Sequence, residues 1–151
     1  MYNKKYKILT FIVNEEKELL LLKGSKNDLQ LKKSIWYVVT GSYEKQDKDF
    51  YNTVKREVKE ETGLEVIDMM YLNWIFKYLS LGIKCTEYAY ISFVQKKEII
   101  LNEENIDYKW YKLDDFLNKI DWFYNKKKLR NVLEKAIEKE MFLKYEQIEG
   151  T

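Results

Sequence analysis

Three glutamates, Glu57, Glu60 and Glu61, have the type and spacing that chemistry needs. On a helix, positions three and four apart share a face, so their carboxylates project from one side within about one turn. Like charges at that spacing repel by about a few tenths of a kcal/mol per pair. Water and salt offset the repulsion on a solvated face, and a cation offsets it in a metal site. Oxygen-only ligands favour Mg²⁺, with Mn²⁺ as a substitute, over softer metals. A bare acidic triplet on a Glu- and Lys-rich helix is more often a solvated face. Here the flanks argue for more. Arg56 directly precedes the first glutamate, Gly63 stops the helix after Thr62, and Leu64 resumes an apolar run. Upstream, Val38 and Val39 end a strand at Thr40-Gly41, setting a flexible turn close to the acidic face.

Absences narrow the chemistry further. The chain has no histidine and one cysteine, Cys85, which excludes Ser-His-Asp and Cys-His catalysis and an internal disulfide. A structural zinc site within one chain is also disfavoured. Acid-base work falls to carboxylates, Lys, Tyr or activated water. The five glycines are too dispersed for a P-loop or a GxGxxG turn. Net charge is +2, from 27 basic and 25 acidic side chains, so there is no global pull toward nucleic acid. Lys126-Lys127-Lys128 reads as a solvated helix start rather than a nucleic-acid patch.

The window from Gly41 to Leu64 resembles the signature of the Nudix hydrolases: a glycine, an upstream acid, then Arg-Glu-aliphatic-x-Glu-Glu-x-Gly-aliphatic. Gly41, Arg56, Glu57, Val58, Glu60, Glu61, Gly63 and Leu64 fall on its fixed positions. Two features depart from it. The upstream acid is Asp47 instead of Glu, and the span from Asp47 to Arg56 is one residue longer than the pattern. The altered junction makes Asp49, one helical turn closer, a candidate substitute for Asp47 as the partner of Arg56.

These residues need elements to position them. Residues 6–13 read as a strand, 14–17 as a turn, and 18–23 as a second strand pairing back as a hairpin. Residues 24–34 form a polar loop beside the substrate, and 35–39 are the strand leading to Gly41. The acidic helix spans about 49–62, with Tyr51, Val54 and Val58 as its apolar stripe. Residues 65–80 and 83–95 form a long antiparallel hairpin turning at Leu81-Gly82. Cys85 is expected to be a buried strand residue there. Alternation puts Glu87 on the face of Ala89, Ile91 and Phe93, an apolar face that a carboxylate tolerates near the wet end of the sheet or within the site; the wet end is favoured. Residues 98–101 are another short strand and 102–107 an acidic loop before the run 108–113. A short helix follows over 114–119, and an amphipathic helix over 125–143 carries Leu129, Val132, Leu133, Ala136, Ile137 and Met141. Residues 144–151 read as a frayed tail.

Strands, helix, strands and helices without a repeat or linker predict one domain over residues 1–151 of the α+β class. This agrees with the α/β/α sandwich, a mixed β-sheet between helices, that the resemblance implies. Neither a signal peptide nor a membrane span is expected, which makes a cytoplasmic protein the default.

By the family pattern, Glu57, Glu60 and Glu61 bind Mg²⁺, with the Thr40 or Gly41 carbonyl as a backbone ligand, and Arg56 orients or neutralises the group. Glu104, with Glu103 behind it, is the loop acid for water activation or an additional metal; an ordinary solvated carboxylate is the competing reading. The expected substrate is a small nucleotide-type molecule with a diphosphate linkage. The segments WYVVTG and ENIDYKW, with Trp122 before the last helix, are similar to the subgroup that hydrolyses dihydroneopterin triphosphate and dATP. That subgroup yields a monophosphate and pyrophosphate. A dinucleoside polyphosphate or RNA 5′-end pyrophosphohydrolase is the alternative within the enzyme class, and a non-catalytic nucleotide-binding sensor the alternative outside it. Trp36, Tyr37, Trp74 and Tyr78 are available for stacking on a base, although such residues are more often core. Lys23 is a candidate phosphate contact. No membrane and no stable nucleic-acid partner is expected.

Overall fold

A computed structural model describes residues 3–140. Seven strands and three helices follow in the order β1 (Asn3–Val13), β2 (Leu19–Gly24), β3 (Trp36–Tyr37), β4 (Val39–Ser42), α1 (Phe50–Thr62), β5 (Asp68–Ser80), β6 (Ile83–Phe93), β7 (Asn105–Tyr111), α2 (Leu113–Lys119) and α3 (Lys126–Ile137). The sheet is mixed. β1 runs parallel to β6 along its whole length, from Asn3 opposite Ile83 to Val13 opposite Phe93, and the other pairings are antiparallel.

Apolar alternation along β1 explains the layering. Ile8 and Ile12 point to one face with Val54 and Val58 of α1, whereas Leu9, Phe11 and Val13 point to the other with Phe116, Leu129 and Leu133 of α2 and α3. Each of these side chains is almost wholly removed from water, which is worth about 1.5–3 kcal/mol apiece. Helices on both faces make the expected α/β/α sandwich.

The expected β1–β2 hairpin closes at a single register pair, Val13 opposite Leu19. Beyond it the strands diverge. β4 takes the freed edge of β1, placing Lys7 opposite Ser42 and Ile8 opposite Gly41, while β2 pairs with β3 and β7. The sheet is therefore split between β4 and the β2–β3–β7 group. The expected strand over 35–39 is correspondingly broken at Val38, and Gly41 lies inside β4 rather than in a flexible turn.

Other differences have local causes. Residues 98–101 form no strand: the Ile100 amide donates to the Thr62 carbonyl at 2.9 Å, so this stretch ties down the end of α1 instead of joining the sheet. Part of the expected acidic loop, from Asn105, is already β7. β5 starts at Asp68 and β6 ends at Phe93, each two or three residues inside its expected limit. α3 ends at Ile137 before a turn in which Lys139 adopts a left-handed φ of 61°; Met141 and the expected tail lie outside the described residues. Cys85 is buried, as expected.

Candidate metal and phosphate site

α1 begins where Asp49 caps it, accepting the Asn52 amide at 2.8 Å, a contact worth about 1 kcal/mol. It ends where Gly63, at φ 77°, turns the chain out of the helix and donates its amide to the Lys59 carbonyl. Val54 and Val58 hold it on the sheet, but Tyr51, the expected third member of the stripe, is 49% exposed and lies edge-on to Tyr90. Thr53, Glu57, Glu61 and Thr62 are buried on the helix instead. Two glutamates thus face protein while Glu60 projects outward, with half of its side chain exposed.

Arg56 organises this face. Its Nε and Nη2 donate to Asp47 Oδ1 and Oδ2 at 2.8 and 2.9 Å, Nη2 also donates to the Ser42 carbonyl at 3.0 Å, and Nη1 donates to Glu57 Oε1 at 2.8 Å. Glu60 lies at the edge of the same group, 3.4 to 3.5 Å from Nη1. Asp47, rather than Asp49, is therefore the partner of Arg56. The additional residue falls between Asp47 and Arg56, where Lys48, at φ 73°, joins a 3-10 turn over Lys45–Asp47 to the Asp49 cap of α1, and Asp47 also accepts from the Glu44 amide and from Thr53 Oγ1. The bonds from Arg56, followed by those backbone and hydroxyl donors, hold the Asp47 carboxyl far below the usual carboxylate range. The same pairing raises Arg56 above its already high value.

Glu57 lies against β4. A Cβ on Gly41 would stand 2.2 Å from Glu57 Cδ and 2.5 Å from its Oε1, so any side chain here would displace the Glu57 carboxylate. Burial raises the Glu57 carboxyl, opposed by its contacts with Glu61 and Arg56. Glu61, one turn on, is pushed up to about 9, first by burial and then by the charge of Glu104 and its contact with Glu57. Asn105 donates to Glu61 Oε1 at 3.2 Å, whereas Oε2 is buried with no hydrogen-bond partner among the described residues.

Glu104 reaches this pair from the loop before β7. Carboxylate oxygens of Glu57, Glu61 and Glu104 lie within 4.8 Å of one another. The loop is anchored by Ser25, whose amide donates to the Glu104 carbonyl at 2.9 Å and whose hydroxyl donates to the Glu103 carbonyl at 2.7 Å. A buried, unpartnered carboxylate oxygen beside two further carboxylates is costly without a cation. The donor set suits a hard, oxygen-binding divalent ion.

The remaining expected residues lie elsewhere. Thr40 sits in β4 opposite Leu9, next to Gly41. Trp36 and Tyr37 form β3: Lys119 lies over the Trp36 ring at 5.3 Å, and Tyr37 stacks on Trp122 at 5.9 Å. Lys23, at the bulged end of β2, pairs with Trp36 and Asp107. Trp74 is core, 8% exposed, and Tyr78 turns its hydroxyl to Glu87. Sequence reasoning missed Asn105 and Ser25. The first stands next to Glu104 in sequence and had that adjacency as its signal; the second had none.

A family model for the NUDIX domain matches residues 4–132. The chain belongs to the Nudix family. It is thus a Nudix-type pyrophosphohydrolase, an enzyme acting on phosphoanhydride bonds of nucleoside diphosphate derivatives. Among curated proteins none matches the chain. Solved Nudix structures share its fold. A MutT protein from Methanosarcina mazei superposes with a TM-score of 0.68 at 22% identity, covering 92% of this chain and 96% of that one. The E. coli dihydroneopterin triphosphate pyrophosphohydrolase gives 0.65 at 19% identity, covering 87% and 94%. A C. elegans Ap4A hydrolase gives 0.63 at 19%, covering 89% and 94%. Among the described residues of this Nudix domain, no helix is long and apolar enough to cross a membrane.

Proposed function

We propose that this Nudix domain is a Mg²⁺-dependent hydrolase that cleaves a nucleoside or pterin triphosphate into the monophosphate and pyrophosphate. The observation carrying this reading is the meeting of Glu57, Glu61 and Glu104, with an orphaned oxygen on Glu61, beside the glycine of β4. When bound, divalent ions supply charge to offset the phosphates and favour attack of water at phosphorus. Glu57 and Glu61 would hold them and Glu104 would close the site from its loop, with Glu60 and the Thr40 carbonyl as the further candidate ligands. Arg56, fixed by Asp47, keeps Glu57 in place against β4. Water's oxygen bonds to the α-phosphorus as the bond to the bridging oxygen breaks, and pyrophosphate leaves with that oxygen. Glu57, Glu104 and Glu60 are the candidates for accepting the proton of the attacking water.

Trp36 and Tyr37 of β3 are the candidates for stacking on the heterocycle, and Lys23, in register with Trp36, is the candidate cation for a phosphate. A cytoplasmic setting suits such a substrate. Similarity to the C. elegans Ap4A hydrolase favours a dinucleoside polyphosphate as the second reading. A binder without turnover is disfavoured because it has no need of so costly a carboxylate cluster.

A panel of nucleoside and pterin triphosphates, dinucleoside polyphosphates and triphosphorylated RNA, assayed with Mg²⁺ and scored separately for pyrophosphate and orthophosphate, tests the reading. Pyrophosphate from a triphosphate is the expected product. Orthophosphate alone, or turnover of dinucleoside polyphosphates only, overturns the proposed bond and substrate.

A further inference from the structure

The sheet face opposite α1 carries a carboxylate that the metal site does not use. Glu87 on β6 is 5% exposed, so the wet end of the sheet expected from its sequence position is not where it lies. It sits in register between Lys7 of β1 and Phe76 of β5. Among the described residues, no Lys or Arg nitrogen comes within 4.0 Å of it, and its hydrogen bond is a donation from Tyr78 Oη to Oε2 at 3.2 Å. One neutral hydroxyl is meagre compensation for a buried carboxylate.

Aromatic rings surround it. Tyr124 stacks on Phe76 at 4.4 Å, Tyr37 stacks on Trp122 at 5.9 Å, and Trp122 packs edge-on to Phe76 at 5.8 Å. Burial raises the phenols of Tyr37, Tyr78 and Tyr124, which keeps all three protonated. Trp122 adds a second unmatched polar group, since its Nε1 is buried with no acceptor among the described residues. The cup therefore holds an underused acceptor and an unused donor among ring faces.

Its position relative to the metal site is set by the sheet. Gly41 of β4 touches Glu57, the next residue, Ser42, is opposite Lys7, and Lys7 is opposite Glu87. Two inter-strand steps, about 10 Å along the sheet, separate the β4 backbone from that of Glu87; because the two carboxylate groups lie on opposite faces, a ligand joining them has to pass the split in the sheet beside β4.

We propose that Glu87 is the specificity-determining residue of this enzyme: its carboxylate accepts an aminolactam edge, a ring N–H beside an exocyclic amino group, as found in guanine and the pterins. The inference rests on the triphosphate reading above. Burial raises the Glu87 carboxyl, opposed by the charge of Lys7 and by the Tyr78 hydrogen bond; with the Tyr78 hydroxyl donating to Oε2, the carboxyl is placed as an acceptor and its ligand must bring donors. Trp122 Nε1 is the complementary donor for an oxygen or nitrogen of the same ring system. Adenine offers a donor beside an acceptor and leaves one carboxylate oxygen against a lone pair, and hypoxanthine lacks the amino group. A site built to receive two donors discriminates strongly against both.

Equilibrium binding in chelator, which separates recognition from turnover, tests this. Tryptophan fluorescence is followed on titration with GTP, ITP, ATP and dihydroneopterin triphosphate. GTP or the pterin should bind at least about tenfold tighter than ITP and ATP, and Glu87→Gln should bring the ratio to within about threefold. The comparison of GTP with the pterin identifies which of the two ring systems is preferred. Should Glu87→Gln lower the thermal midpoint and fail to fold, Tyr78→Phe, which removes the donor to Glu87, should still reduce the GTP to ITP ratio by at least about threefold. Equal affinity for GTP and ITP in the natural protein, absence of binding by either aminolactam, or a preference that survives in the folded variants overturns the assignment. Absence of pyrophosphate release with Mg²⁺ bears instead on the triphosphate reading, and is measured separately.

Discussion

Arg56 grips Asp47 through two parallel bonds, Nε to Oδ1 at 2.8 Å and Nη2 to Oδ2 at 2.9 Å, across a junction one residue longer than the family pattern. Within that longer span Lys48 takes a left-handed φ of 73° between the 3-10 turn and α1. Asp47 is 6% exposed, so removing Arg56 leaves a buried carboxylate bereft of its cation. Arg56→Ala should therefore destabilise the domain by about 2–4 kcal/mol, and Arg56→Lys, which keeps the charge but not the planar fork, by about half of that. Urea denaturation of the two variants checks the order, and equal losses would mean that the fork geometry contributes nothing.

The helix glutamates should separate by burial. Glu61→Gln replaces a buried, repelled carboxylate and should raise the thermal midpoint in chelator, whereas Glu60→Gln, on the exposed side, should leave it nearly unchanged. Both should lower Mg²⁺-dependent turnover by roughly a hundredfold or more. Near-normal turnover in either variant removes that residue from the mechanism.

Stability without metal should depend on pH in two opposite senses. Glu61 titrates near 9 in the folded protein against an ordinary value of 4.5, so above that ordinary value the unfolded chain releases a proton that the native state retains. Stability of the chelated protein then falls as pH rises from about 4.5 toward 9. Asp47 works the other way: its depressed folded pKa contributes stability above the unfolded value that is lost as pH falls through the acid range. Thermal melts in chelator should peak near about pH 5, and Glu61→Gln should flatten the alkaline limb. A midpoint that climbs steadily to pH 8 contradicts the assignment.

Mg²⁺ should reverse that alkaline loss. An ion that binds only the folded state adds about 2.7 kcal/mol at a hundred times its dissociation constant. A Mg²⁺-induced rise in midpoint at pH 8, absent from Glu61→Gln and weakened in Glu104→Gln, is the expected result of differential scanning calorimetry.

Gly41→Ala offers an independent check on geometry. The new methyl must displace the Glu57 carboxylate, because the ideal Cβ position is 2.2 Å from Cδ. Since only a side-chain end has to move, the fold should survive while turnover falls by at least about tenfold. Unimpaired turnover would show that Glu57 works from a different rotamer.

Local patterns made much of this molecule legible. The acidic helix with its Gly63 stop, the β5–β6 hairpin turning at Leu81-Gly82, and the amphipathic α3 all follow from periodicity and capping, which depend on neighbours within a few residues. The family signature identified Arg56 and the glutamates because its residues are nearly contiguous. Which glutamates converge was another matter. The meeting of Glu57 and Glu61 with Glu104 depends on Ser25 holding a loop about eighty residues away in sequence. Whether Asp47 or Asp49 meets Arg56 depends on how one additional residue is coiled, and the depth of Glu87 depends on β1 lying parallel beside β6 with α3 above them. Spacing along the chain decides which face a side chain takes; what stands opposite that face is decided by packing between distant segments, and that packing turns a run of acids into a site.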